Sequence, residues 1–351
     1  MMLSVICGQL LTGRRTPAVA PRGPCQGVAV LLVVLLSASV QAATQDPEDP
    51  RAWLQAMNRA FTELSYDGIF SYFNGSDLTS VRIVHMVIDG EQRERLIHLN
   101  GAPREIVRTG ETVACILMPG DDLLDLEGNI PSGPFARAFV RKYDTISEHY
   151  SLAFFGEDRV AGRLAVRLAI TPHDSDRFGY RLWLDQETRL LLKSELIDAD
   201  GAMLEVFQFN ELQLGDAVAA DALLPTQREG SVVSHLTLAT GTAAPVQLKR
   251  TRWQPAWVPE GFVMASADVR MTHDKLKSVN TMMYSDGLAA FSVFIEEMPP
   301  VGAASMVSRS GATVAVTHLA GGPESRHQLV TLVGELPTAT AQRIAQSIRF
   351  E

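Results

Sequence analysis

Cysteine is nearly absent from this chain. It has three; Cys7 and Cys25 fall in an N-terminal stretch laid out like an export leader, which leaves Cys115 alone. One thiol cannot close an internal disulfide, so the fold must rest on its hydrophobic core. Cys115 lies in the apolar run from Val113 to Met118, where a small buried hydrophobe is the better reading than a nucleophile. The motifs of common chemistries are missing as well. There is no GxGxxG, no phosphate loop closed by Lys-Ser/Thr, no HExxH and no GxSxG. The eight histidines show no metal-ligand spacing; His85 and His98 can meet across neighbouring strands, but a strand histidine with ordinary partners is the commoner case. Asp121, Asp122, Asp125 and Glu127 lack the oxygen-ligand alternation of a calcium loop and read as a solvated turn. No catalytic residue, metal or cofactor is expected, and the chain is not expected to be an enzyme.

Basic charge is also scarce. Arg14, Arg15 and Arg22 precede the apolar core Val28 to Leu36, and Val40-Gln41-Ala42 offers a small-residue cleavage point. This three-part layout is that of a secretory signal peptide over residues 1–43. The apolar core falls short of the roughly 20 residues that a membrane span needs. The leader takes three arginines and no acid with it, so the formal charge moves from −9 to −12. Such an acidic balance argues against general nucleic-acid binding, which Lys and Arg drive by neutralising phosphates. Roughly 300 residues remain, more than one core usually holds, so two domains are expected.

What is present is a succession of short strands. Asp49 can cap a first helix that Pro50 opens, and Trp53, Leu54, Met57, Phe61 and Leu64 recur along it at helical spacing. Strand-like runs follow from Gly68, Val81, Leu96, Glu105 and Val113, separated by Asn74-Gly75, Asp89-Gly90, Asn100-Gly101 and Thr109-Gly110. Asn-Gly and Asp-Gly suit tight hairpins, whose central residues need positive φ, so an antiparallel meander is expected. After a loop-like stretch, Phe135, Phe139, Val140 and Tyr143 make a loose helical stripe. Strands resume at Leu152, Leu164, Gly179, Leu190 and Met203, with Asp198 to Gly201 as a turn. Small polar residues over 225–245 read as a linker between a domain of residues 44–224 and one of residues 246–351. The second domain carries strands from Val263, Val279, Leu288, Ala312 and Gln328, and closes on a helix after Pro337. The fold class is α+β: a large antiparallel sheet curved into a half-barrel under helices, then a smaller α+β domain. Aromatic residues on the strands are best read one by one as core; together they can line an apolar pocket.

Several segments resemble the MucB/RseB family. They are Ser65-Tyr66-Asp67-Gly68-Ile69-Phe70-Ser71-Tyr72, the run Gly101 to Arg108, the hairpin from Phe178 through Ser194, Trp257-Val258-Pro259-Glu260-Gly261-Phe262 and Tyr284 to Ala289. The resemblance implies a periplasmic negative regulator of an envelope-stress sigma factor of the sigma-E/AlgU type. Such a protein binds the periplasmic part of a membrane-anchored, RseA/MucA-like anti-sigma factor and shields it from regulated proteolysis. The resemblance also implies a lipoprotein-carrier-like first domain whose apolar cavity takes a lipid or lipoprotein-type ligand. Candidate cavity residues are Phe70, Tyr72, Trp183, Leu184 and Phe207. Candidate anti-sigma contacts are Trp257, Phe262, Tyr284 and Phe291. The resemblance leaves a homo-oligomer open, and a periplasmic lipid or lipoprotein carrier without an anti-sigma role is the alternative. Replacing Trp257 with Ala is expected to weaken anti-sigma binding and leave circular dichroism unchanged; equal loss of both marks Trp257 as core.

Overall fold

The structure, a computed structural model, describes residues 49–110, 112–117, 143–226, 232–237, 252–271, 278–297, 305–321 and 327–350. The expected leader, the acidic loop at Asp121 to Glu127 and the stripe at Phe135, Phe139 and Val140 lie outside them. Among the described residues no helix is long and apolar enough to cross a membrane.

Helix α1 (Pro50–Glu63) forms as its sequence dictates. The Asp49 carboxylate accepts from Arg51 N at 3.0 Å, Pro50 needs no amide partner at the first position, and Leu64 leaves the helix in an extended conformation. Its inner stripe is Trp53, Leu54, Met57 and Ala60, all buried, with Phe61 and Leu64 half-buried beside them.

Eleven strands make the first sheet. They are β1 (Tyr66–Phe73), β2 (Leu78–Ile88), β3 (Glu91–His98), β4 (Arg104–Thr109), β5 (Thr112–Leu117), β6 (Tyr150–Val160), β7 (Arg163–Pro172), β8 (Gly179–Asp185), β9 (Leu191–Ile197), β10 (Met203–Leu214) and β11 (Val232–Thr237); helix α2 (Tyr143–His149) precedes β6. The order across the sheet is β11-β5-β4-β3-β2-β1-β10-β9-β8-β7-β6, with every pairing antiparallel. The Asp89-Gly90 turn has φ of 54° and 79°, the double positive φ that its hairpin demands. Strand β11 lies inside the 225–245 stretch expected to be a linker; Val232–Thr237 instead pairs with β5 and extends the sheet.

The sheet is curved. Eleven strands laid flat would span about 50 Å, whereas α1, with 14 residues, is about 21 Å long. Yet α1 packs on Leu168 and Leu182 of β7 and β8 at one end of its length, and its Ala60 joins Ile83 and Ile106 of β2 and β4 at the other. Strands β6 and β10, four places apart in the order, also touch. Both facts require the sheet to wrap around the helix, as a half-barrel does.

The second domain has a six-stranded antiparallel sheet, a two-stranded sheet and one helix. The larger sheet contains β13 (Val263–Met271), β14 (Ser278–Ser285), β15 (Ala290–Glu297), β16 (Met306–Ser310), β17 (Thr313–Gly321) and β18 (His327–Glu335), ordered β13-β14-β15-β18-β17-β16. Helix α3 (Thr338–Ser347) packs on it through Ala341, Ile344 and Ala345, and β12 (Trp253–Pro255) pairs with β19 (Ile348–Phe350). Sequence reasoning missed β16, whose five residues are all exposed, and β19.

Leu54 is fully buried between α1 and the sheet. Leu54→Ala removes that packing and leaves a cavity, and should cost about 2–5 kcal/mol in chemical denaturation.

Candidate functional site

Strand alternation decides which candidate side chains share a face. Tyr72 pairs with Phe207, Phe207 with Ser194, Ser194 with Leu182 and Leu182 with Leu168, and residues directly opposite one another project to the same side. This is the face α1 covers. Phe70 and Phe207 meet on it, ring centroids 4.8 Å apart, with Phe209 edge-on to Phe207 at 5.2 Å. Val81, Ile83, Leu96, Ile106 and Val113 continue the apolar band across β2 to β5. Leu184 is buried on the same side, nearer Trp53 and Leu54.

Trp183 does not join them. It is one residue from Leu184, and its partners Arg167 and Lys193 place it on the opposite face. There its Nε1–H donates to Asp158 at 2.8 Å, Phe155 lies edge-on, and Lys193 Nζ stands 4.3 Å from the ring. Its burial is structural cover for the outer side of the sheet.

The apolar band ends in a polar group that sequence reasoning missed. Tyr66 stacks on His85 at 4.8 Å, and His85 Nδ1 lies 2.8 Å from Leu64 O. His85 pairs with Glu94 and His98 with Val81, so the two histidines do not meet. Burial lowers the His85 pKa and raises that of the buried Glu94 carboxyl, with Arg108 at 3.3 Å opposing the rise. Among the described residues no cluster of His, Cys, Asp and Glu is arranged to hold a metal.

The four candidate anti-sigma contacts are mostly core. Tyr284 stacks on Phe291 at 5.1 Å, Phe262 packs on Phe291 at 5.4 Å, and all three are buried. Trp257 is half-buried against α3: the Arg343 guanidinium lies 3.5 Å over its ring, and Ser347 Oγ bonds its backbone N–H and C=O. These residues build the second domain; the four do not form an exposed patch.

The densest polar site joins the two domains. Arg177, in the turn before β8, is fully buried, as is the side chain of Asp286 in the β14–β15 turn. Arg177 Nη1 donates to Asp286 Oδ2 at 2.7 Å, Nη2 to Glu260 O at 2.6 Å and Nε to Asp174 Oδ1 at 3.1 Å. Its plane lies near the rings of Tyr150 and Phe262. Tyr150 Oη also donates to Asp286 Oδ2, at 2.8 Å, while Asp286 Oδ1 accepts from Leu288 N and Ala289 N. Leu288 and Ala312, from two hairpin turns of the second domain, sit in the same apolar cluster as Trp53 and Leu54 of the first. Thr340 of α3 donates to Asp176, and Ala312 N donates to Glu205 of β10 at 2.8 Å. Gly311 has φ 58°, and a Cβ there would come within 2.2 Å of Asn74 O, so only glycine lets this turn approach.

A family model of the MucB/RseB N-terminal domain matches residues 49–227, and one of the MucB/RseB C-terminal domain matches residues 247–349. The chain belongs to the MucB/RseB family. It is 38% identical over 324 residues to "Sigma factor AlgU regulatory protein MucB" of Pseudomonas aeruginosa, covering 92% of this chain and 97% of that protein. It is 29% identical over 301 residues to "Sigma-E factor regulatory protein RseB" of Escherichia coli K12, covering 85% and 90%. Among solved structures it matches MucB in complex with MucA(peri) with a TM-score of 0.70 at 34% identity, covering 86% of this chain and 99% of that one. A crystal structure of MucB matches with a TM-score of 0.59 at 33% identity, with 86% and 98% covered.

Arg177→Ala would leave the Asp286 carboxylate buried without its cation, held only by Tyr150 Oη and two backbone amides. Removing one partner of a buried pair costs about 3–5 kcal/mol, so the variant should show a clearly lowered urea midpoint with the first-domain core intact.

Proposed function

We propose that this protein is a periplasmic regulator of an envelope-stress sigma factor. It binds the periplasmic part of a membrane-anchored anti-sigma factor and shields it from regulated proteolysis. A lipid or lipoprotein-type signal, taken up on the α1-covered face, relieves the protection. The observation that carries this reading is the match of both domains, in order, to MucB, a relative solved in complex with MucA(peri). The leader-like residues 1–43 and the single remaining cysteine fit export without disulfide dependence.

Geometry supports the lipid part through the band of Phe70, Phe207 and Phe209 under α1. Each of the three is buried to within a few per cent of completeness. A chain seated there must therefore displace something, and α1 is the element whose movement would free the band. In this reading Phe70, Phe207 and Leu184 would touch such a chain and Tyr72 would border it, which their position on the α1-covered face supports. Uptake of lipid and release of the anti-sigma segment would then be reciprocal effects of one equilibrium.

The decisive experiment is cleavage of the cognate anti-sigma periplasmic domain by its site-1 protease, with the mature protein present and with or without added lipid. Slower cleavage that lipid restores is the expected result. Protection indifferent to lipid removes the signal and keeps the partner. Lipid binding with neither anti-sigma binding nor protection replaces this reading with a lipid or lipoprotein carrier.

A further inference from the structure

Besides the Arg177 clamp, the domain joint holds a second polar cluster, of different composition. Glu205, on β10, accepts from Tyr72 Oη at 2.6 Å through Oε2 and from Ala312 N at 2.8 Å through Oε1. Glu335, at the end of β18, pairs across the strands with Thr313, the residue after Ala312. The two acids thus come from different domains and are tied to consecutive residues at the β16–β17 turn, Glu205 through Ala312 N and Glu335 through its pairing with Thr313. Tyr72 of β1 and Tyr180 of β8 are phenols that feel both carboxylates. Arg309, the cation of the turn itself, donates its Nε to Gly311 O. Arg177 is committed to Asp174, Glu260 and Asp286, beside the Tyr150 phenol. Among the described residues neither Glu205 nor Glu335 lies within ion-pair distance of a Lys, Arg or His.

Two carboxylates facing each other without a cation cannot both stay charged cheaply in a partly dehydrated joint. We propose that docking of the two domains is coupled to uptake of one proton by the Glu205–Glu335 pair, so that the docked arrangement tightens on acidification and loosens on alkalinisation. The proton resides on Glu335. Burial first, and the charge of Glu205 second, push its carboxyl from the ordinary 4.5 up to about 7. Glu335 is half-buried, so the proton exchanges with solvent.

The sign follows from where the proton is held. The docked state binds it up to about pH 7, whereas a separated, hydrated Glu335 loses it near 4.5. Docking therefore keeps its full advantage below pH 4.5, weakens as pH rises through that window, and stays at its weakest above 7. Within the window the docked-to-open ratio falls by at most about tenfold per pH unit. A partner that selects one domain arrangement must then take up or release a proton when it binds, by reciprocity.

Small-angle scattering of the full mature chain from pH 5.5 to 8.5 tests the coupling. The wild type should expand as pH rises from 5.5 to 7 and change no further above it, and Glu335→Gln, an uncharged mimic of the protonated acid, should keep its acid dimensions throughout. Wild-type dimensions that do not change with pH, or the same expansion in the Gln variant, overturn the proposal. Should the variant fail to fold, a carbon-13 carboxyl titration of the wild type decides: a Glu335 midpoint near 7 supports the coupling, and one near 4.5 overturns it.

Discussion

A guanidinium with no exposed surface must place its donors on the protein, because no water remains to take them. Arg177 meets that demand from three directions: Asp174 in its own turn, the Glu260 carbonyl ahead of β13, and Asp286 in the β14–β15 turn. The last two belong to the other domain, so satisfying one side chain fixes the placement of two segments. Asp286 in turn holds its hairpin closed through Leu288 N and Ala289 N, and that hairpin delivers Leu288 into the core beneath α1. The register of the second domain on the first therefore depends on this pair. Apolar contact alone is non-directional and would not select one geometry.

The same logic separates the two faces of the large sheet. Wrapping around α1 gives an inner side that is apolar along β1 to β10, and leaves the outer side to mixed contacts such as Arg167 over Phe155 at 4.1 Å. On that outer side Arg95 reaches Glu105, Ala222 O and Thr226, tying the chain after β10 down over β3 and β4. The connection between domains is thus anchored at its start, and the chain then returns to the sheet as β11. Ligand-bearing and partner-bearing parts are held together by polar contacts whose partners are distant in sequence, an arrangement able to respond as a unit.

Much of this was legible from the residues. The Asp49-Pro50 start of α1, the turn at Asp89-Gly90 and the full extent of β10 follow from local rules on capping, positive φ and apolar patterning. The half-barrel was suggested by a meander of short strands with a helical cover, whereas the function class came through family resemblance, because no local pattern encodes a binding partner. Strand β16 carries no burial alternation to detect, and β11 is masked by the small polar residues around it. Trp183 and Leu184, neighbours on β8, face opposite sides of the sheet, a separation that strand geometry alone predicts. Tyr284 and Phe291 show the limit of residue type as a guide: aromatic character marks a core as readily as a contact. Arg177 and Asp286 are 109 residues apart, and no local pattern announces that they meet.

Strand order also sets a timetable. β1 sits in the middle of its sheet, bonded on one side to β2 and on the other to β10, so Tyr66 pairs with both His85 and Leu214. A chain delivered N-terminus first can build β1 to β5 early, but β1 keeps an unpaired edge until residue 214 arrives. Non-local pairing of this kind is slow, and an open edge is where chains join one another wrongly. During delivery the half-finished sheet is therefore the stage most in need of a chaperone's cover.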